Sequence, residues 1–160
     1  MAPRELLAQG AGESTKCGRR DLTIRRLGPG DEEIVVQLGG ERPLTHAQAA
    51  DLVADERTVY LVAFDDEEPV GYVFAHQLPR RHGDPSQLFV YDLEVNESQR
   101  RRGIATALMR ELEQISREHG IRTGFVLTNS SNDPAMAFYE SLGGVRPNED
   151  DAMWEFNYPA

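Results

Sequence analysis

The sequence predicts an α+β fold (a mixed α/β sandwich), with a mixed sheet carrying helices on both faces. Three observations lead there. Residues 88–115, LFVYDLEVNESQRRRGIATALMRELEQI, read as a strand, a polar turn and an amphipathic helix. Ahead of them, two apolar runs flank a DDEEP turn, the pattern of an antiparallel pair. Behind them, a further strand and helix follow in short order.

Taken in order, residues 1–20 are rich in Gly, Ser and charge and read as a flexible tail, with residues 21–160 forming one domain. Leu22–Leu27 is the first strand, closed by Gly28-Pro29-Gly30. Residues 31–38 make a short helix on Ile34, Val35 and Leu38. Thr45 with Gln48 is a capping-box pattern, opening a helix from His46 to about Asp55. Val59–Phe64 is almost continuously apolar, hence a central strand, and Val70–Ala75 returns as its partner. Residues 79–87 form a polar loop leading to the strand of Leu88, Phe89, Val90 and Tyr91, which reads as buried and continues through Leu93 and Val95. In the long helix, Ile104, Leu108, Leu112 and Ile115 share one face, and Gly120 marks its stop. Thr123–Leu127 is a strand. In the next helix Asp133 is the expected N-cap, Pro134 the first helical residue and Gly143 the stop. Residues 152–158 alternate Trp154, Phe156 and Tyr158 with polar neighbours and Met153, as a half-buried last strand does.

The turn between strand and long helix carries the chemistry. A helix start leaves amides without carbonyl partners at its electropositive end. Gly103 and Ala105 admit a ligand to the backbone, and Arg100, Arg101 and Arg102 add positive charge. The product is an anion seat, best suited to a pyrophosphate. Neither GxGxxG after a strand nor GxxxxGK followed by Ser or Thr is present.

Composition excludes several classes. At 160 residues the chain is long enough to bury a sizeable core. The formal net charge of −10 argues against nucleic acid as the partner and is compatible with a polycationic substrate. No apolar run approaches the roughly 18 residues of a membrane span, and the first twenty residues lack a secretory core. A cytoplasmic location is therefore expected. The single cysteine, Cys17, gives no disulfide framework. His46, His76, His82 and His119 show no metal-binding spacing, so no metal is expected.

Arg100, Gly103 and Ala105 fill a Q/R-x-x-G-x-G/A pattern that resembles the acetyl-CoA signature of the GNAT family of N-acetyltransferases. The pattern N-x-x-A-x-x-x-Y-x-x-L-G at 132–143 resembles the second signature of that family. The resemblance implies a largely antiparallel central sheet and acetyl-CoA as cofactor. It implies that Leu93, Glu94 and Val95 hold the pantetheine arm by main chain, that Arg100, Arg101, Arg102, Gly103, Ile104, Ala105 and Thr106 hold the pyrophosphate, and that Asn132 touches the cofactor arm. It places Tyr139 as the general acid for the leaving thiolate, since a phenol near pKa ~10 stays protonated at neutral pH.

For the general base the residues point to Asp92, a carboxylate inside an apolar strand, paired or facing a wet cleft. Alternation puts Glu94 on the same face. The stretches LGPG, YLVAFDDEEPVG, QLPRR, VYDLEV, RRRGIATALM and NDPAMAFYESLG further resemble aminoglycoside 3-N-acetyltransferases of type I. The segment before Thr58 is shorter than in that group, and VRPNEDDAMWEFNY after Gly144 matches it loosely. The implied reaction transfers acetyl to the 3-amino group of the 2-deoxystreptamine ring by direct attack in a ternary complex. Asp92, Glu94, Asp150, Asp151 and Glu155 would receive the ammonium groups, and a homodimer is implied. An acetyltransferase for a polyamine, protein N-terminus or lysine, or a non-catalytic acyl-CoA binding module, are the alternatives.

Overall fold

The computed structural model describes residues 15–17, 22–83, 85–146 and 148. The chain divides into two compact units, Met1–Leu127 and Thr128–Ala160. The first holds β1 (Thr15–Cys17), β2 (Leu22–Arg26), α1 (Glu32–Leu38), α2 (His46–Ala54), β3 (Thr58–Asp65), β4 (Glu68–Leu78), β5 (Gln87–Val95), α3 (Ile104–Glu118) and β6 (Thr123–Val126). In the second, α4 spans Asp133–Ser141. The strands form one sheet in chain order, antiparallel throughout except for the parallel β5–β6 pair.

The central strand β3 shows why this sheet needs a layer on each side. Alternate side chains of an extended chain point to opposite faces. Val59, Leu61 and Ala63 join Ile104, Leu108 and Leu112 of α3 in one buried cluster. Tyr60, Val62 and Phe64 join Val35 of α1 and Ala49 and Val53 of α2 in another. A strand apolar on both faces is stable only when both are covered, which the almost unbroken run over 59–64 requires. The capping box is present as the sequence predicts: the Thr45 side chain accepts from the Gln48 amide while Gln48 accepts from the Thr45 amide. Among the described residues, no helix is long and apolar enough to cross a membrane.

Three expectations change. Thr15–Cys17, expected in a flexible tail, pair with β2 as an edge strand, because β2 has a row of backbone groups beyond β3 to be satisfied. Strand β5 is not buried throughout. Leu88 and Val90 are buried, but Tyr91, Asp92 and Glu94 are exposed, since its far half has no neighbour on the β6 side. Helix α4 is capped by Asn132 rather than Asp133: its Oδ1 accepts from the Ala135 amide at 3.3 Å, and Pro134 falls one place further into the first turn. The expected strand over 152–158 lies outside the described residues.

Candidate active site

The site grows from the point where β5 loses a partner. Its parallel ladder to β6 runs from Gln87↔Thr123 to Val90↔Val126 and stops there, while the antiparallel ladder to β4 continues to Gly71↔Val95. Residues 91–95 therefore have one paired edge and one open edge. Which main-chain groups face the opening follows from a single bond. The Asn96 amide donates to the Val70 carbonyl at 2.9 Å, which makes 96/70 a hydrogen-bonded pair. Such pairs alternate along an antiparallel ladder, so Glu94 and Asp92 spend their main-chain groups on β4. Leu93 and Val95 point theirs to the open edge. Of the three residues expected to offer main-chain groups, Leu93 and Val95 turn theirs to the open edge and Glu94 turns its own to β4.

Close approach of β4 here depends on Gly71. A Cβ at that position would stand 2.9 Å from the Glu94 carbonyl oxygen and 3.1 Å from Val95 Cγ2. Non-hydrogen-bonded pairs bring strands closest, and glycine admits that spacing.

One sheet face at this end is acidic and aromatic. Asp92 pairs with Phe74 and Glu94 with Tyr72, so both carboxylates rise on the face that packs against α1 and α2. The Tyr72 hydroxyl donates to Asp92 Oδ2 at 2.7 Å and lies 3.2 Å from Glu94 Oε2. Burial pushes the Tyr72 phenol well above its ordinary range, and the hydrogen bond to Asp92 and that carboxylate's charge push it further. It is held protonated, a fixed donor. Tyr60, packed against Tyr72 at 5.5 Å between ring centroids, is raised by burial and then by the same two carboxylates. Tyr72 escapes a reading of the sequence because it lies 20 residues from Asp92; antiparallel register across the β4–β5 hairpin is the signal that would find it.

At the other end of the open edge stands the start of α3. Arg101 (φ 63°) and Gly103 (φ 79°) both adopt the left-handed conformation. Adding a Cβ at Gly103 would meet nothing within 4 Å, so glycine serves the backbone angle there. No side chain caps α3, and its first intrahelical bond runs from the Ala107 amide to the Gly103 carbonyl. The amides of Ile104, Ala105 and Thr106 thus lie ahead of the ladder at the positive end of a 15-residue helix. The three arginines are not equivalent. Arg100 Nε donates to the outward Val95 carbonyl at 3.2 Å, tying this turn to the open edge. Arg102 Nη1 bonds Asp65 Oδ2, at the end of β3, at 2.9 Å and also contacts Gln99 Oε1.

In the second unit, Asn132 caps α4, and the half-buried Tyr139 ring packs edge-on to Phe138 at 5.3 Å. Its carbonyl accepts from the Gly144 amide at 3.0 Å, and a Cβ at Gly144 would stand 2.8 Å from that oxygen. Asp150, Asp151 and Glu155 lie outside the described residues. Among those described, no group of three His, Cys, Asp or Glu could hold a metal ion. An uncapped helix start beside a strand with outward main-chain donors suits a long cofactor bearing a pyrophosphate and an amide-rich arm.

Comparison with known proteins agrees with that geometry. The sequence profile of the acetyltransferase (GNAT) family matches residues 32–144. A crystal structure of an aminoglycoside acetyltransferase from an uncultured soil metagenomic sample superposes with a TM-score of 0.72 at 29% identity, over 87% of this chain and 98% of that one. A second soil-metagenome aminoglycoside acetyltransferase, in complex with sisomicin, has the same fold: TM-score 0.70 at 22% identity, over 87% and 96% of the two chains. The mycothiol acetyltransferase of Corynebacterium glutamicum is 32% identical over 100 residues, which are 62% of this chain and 32% of that protein. The match thus spans about a third of these curated relatives' length, 32%.

Proposed function

This chain belongs to the acetyltransferase (GNAT) family, and on that premise we propose that it acetylates the 3-amino group of aminoglycosides, using acetyl-CoA. One observation carries the reading: the open edge of β5 and the two carboxylates held by Tyr72 belong to the same five residues, 91–95. Acetyl-CoA supplies the activated acetyl group. Leu93 and Val95 hold its pantetheine arm through the main chain, in the manner of an added strand. The amides of Ile104, Ala105 and Thr106, with Gly103, Arg100, Arg101 and Arg102, hold its pyrophosphate.

Asp92 takes a proton from the acceptor ammonium, directly or through water, so that a neutral amine attacks. Glu94 receives a second ammonium, because two carboxylates sharing one phenol proton keep acceptor sites to spare. Tyr139 gives its proton to the departing thiolate, and Asn132 contacts the cofactor arm; both roles rest on the resemblance in the 132–143 signature. Asp150, Asp151 and Glu155 would receive further ammonium groups, a role that rests on the resemblance alone. Attack is direct, in a ternary complex, in a cytoplasmic homodimer. The similarity to a soil-metagenome aminoglycoside acetyltransferase at 29% identity supports the substrate class.

The test is thiol release from acetyl-CoA with gentamicin, sisomicin, kanamycin, spermidine and a lysine peptide. Turnover of gentamicin or sisomicin, with the product acetylated at the 3-amino group, is expected. Acetylation at another position would remove the regiochemistry, and release only with the linear amines would remove the substrate class. The 32% identity to mycothiol acetyltransferase over 100 residues favours, as a second reading, an acceptor other than an aminoglycoside on the same machinery.

A further inference from the structure

A defect in the β4–β5 ladder singles out Tyr91. Register runs Phe74↔Asp92 and then Ala75↔Val90, leaving Tyr91 as an extra residue. In a regular strand Tyr91 and Asp92 would point to opposite faces. The bulge cancels that alternation. Val90 is buried in the cluster under α3, and Leu93 packs against it, whereas both residues between them rise on the other face. The Tyr91 ring meets Phe74 at 5.9 Å, His76 at 6.1 Å and Phe89 at 5.8 Å, each edge to face. Phe89 in turn stacks on Phe125 at 4.9 Å.

Three rings thus brace Tyr91 from the sheet side, yet it remains 65% exposed, the largest value for a Phe or Tyr among the described residues. A folded chain gains nothing by re-aiming a large ring from the core to solvent, and bulges that do so recur beside active sites. The immediate neighbour of that ring is the carboxylate Tyr72 holds in place. A braced aromatic face carries negative charge density, and it accepts ammonium groups and the C–H faces of saturated rings.

We propose that Tyr91 is the acceptor-selecting wall of the site, a platform on which a ring-bearing cationic acceptor lies while its amines reach Asp92 and Glu94. The proposal rests on the aminoglycoside reading and deepens it: the acceptor is selected for a rigid ring as well as for charge. A flexible linear amine offers no flat C–H face to the platform and would gain only a cation–π contact.

The experiment measures kcat and KM of the full chain, Tyr91→Ala and Tyr91→Phe with gentamicin and sisomicin, together with the KM for acetyl-CoA. Loss of the ring should raise the antibiotic KM about tenfold, the upper range of a partly desolvated cation–π and stacking contact, with kcat within about threefold. The KM for acetyl-CoA should stay within about twofold, and Tyr91→Phe should restore antibiotic binding, because the ring and not the hydroxyl is required. An unchanged antibiotic KM in Tyr91→Ala overturns the proposal while leaving the substrate reading intact. So does a rise in both KM values together, which would mark the ring as a support of the bulge. A changed sedimentation mass with unaltered KM would assign the ring to a subunit contact, and overturns it too. If the wild-type chain turns over spermidine but neither antibiotic, or no amine at all, the substrate reading and the wall fall together.

Discussion

Strands β3 and β5 belong to one sheet and live under opposite rules. β3 has a neighbour on each edge and a helical layer on each face, and seven of its eight residues are buried. β5 starts the same way, with Leu88 and Val90 buried, and then loses β6, gains an extra residue and exposes Tyr91, Asp92 and Glu94. The first arrangement spends every backbone and side-chain valence on the fold. The second leaves main-chain donors, two carboxylates and an aromatic ring uncommitted to packing. The proposed site lies where the sheet stops closing on itself, supported by the part that has closed.

That contrast can be broken from either side. The largest expected effect is on the closed side: Leu108→Ala removes a fully buried side chain beneath β3 and should cost about 3–5 kcal/mol in denaturant unfolding. Next, Asp92→Asn should lower kcat about a hundredfold, the lower range for loss of a general base, while the unfolding midpoint moves little because the residue is exposed. An equal loss of stability would place Asp92 with the core. Gly71→Ala should cost about 1–3 kcal/mol by forcing a methyl against the Glu94 carbonyl, and should raise the KM for acetyl-CoA by displacing the open edge.

Smaller still, Tyr72→Phe should raise the KM for the amine about fivefold, as loss of one hydrogen bond to a charged but exposed group allows, and leave acetyl-CoA unaffected. The smallest effect is a pH-dependent one, far from the site. Arg25 and the Gly28 amide both donate to Asp31 Oδ2, at 2.8 and 2.9 Å. Partial burial pushes that carboxyl up, but the two hydrogen bonds and the Arg25 charge outweigh it and hold it below its ordinary 3.8. A depressed folded value stabilises the protein above the unfolded value and is lost as pH falls through the folded one. Asp31→Asn should therefore melt lower than wild type at pH 7, with the gap closing below about pH 3.8.

Local regularities carried much of the fold from the outset. The four-and-three spacing of Ile104, Leu108, Leu112 and Ile115 puts them on one helix face wherever the helix docks, and three of the four are buried under the sheet. The Thr45–Gln48 box needs only three residues of separation. Run lengths between turn residues marked β3 and β4, and period-two alternation put Asp92 and Glu94 on one face, where Tyr72 meets them both. The motif at 100–105 located the helix start whose amides lie uncapped.

What the linear order did not contain is set by register and by where ladders end. Tyr72 reaches Asp92 across 20 residues only because Gly71 stands opposite Val95; a shift of one would turn its hydroxyl to the α3 face. Arg102 looks like one of three equal cations until folding brings Asp65, 37 residues earlier, to its guanidinium. Tyr91 obeys alternation in the sequence and defies it in the sheet, since a bulge is a compromise between two strands that neither specifies alone. Residue type and spacing were enough to identify the strand, the helix, the acidic pair and the family resemblance. Which groups of that strand remain free to bind anything was decided by the pairing of distant segments, because a backbone group is available only when no other strand has taken it.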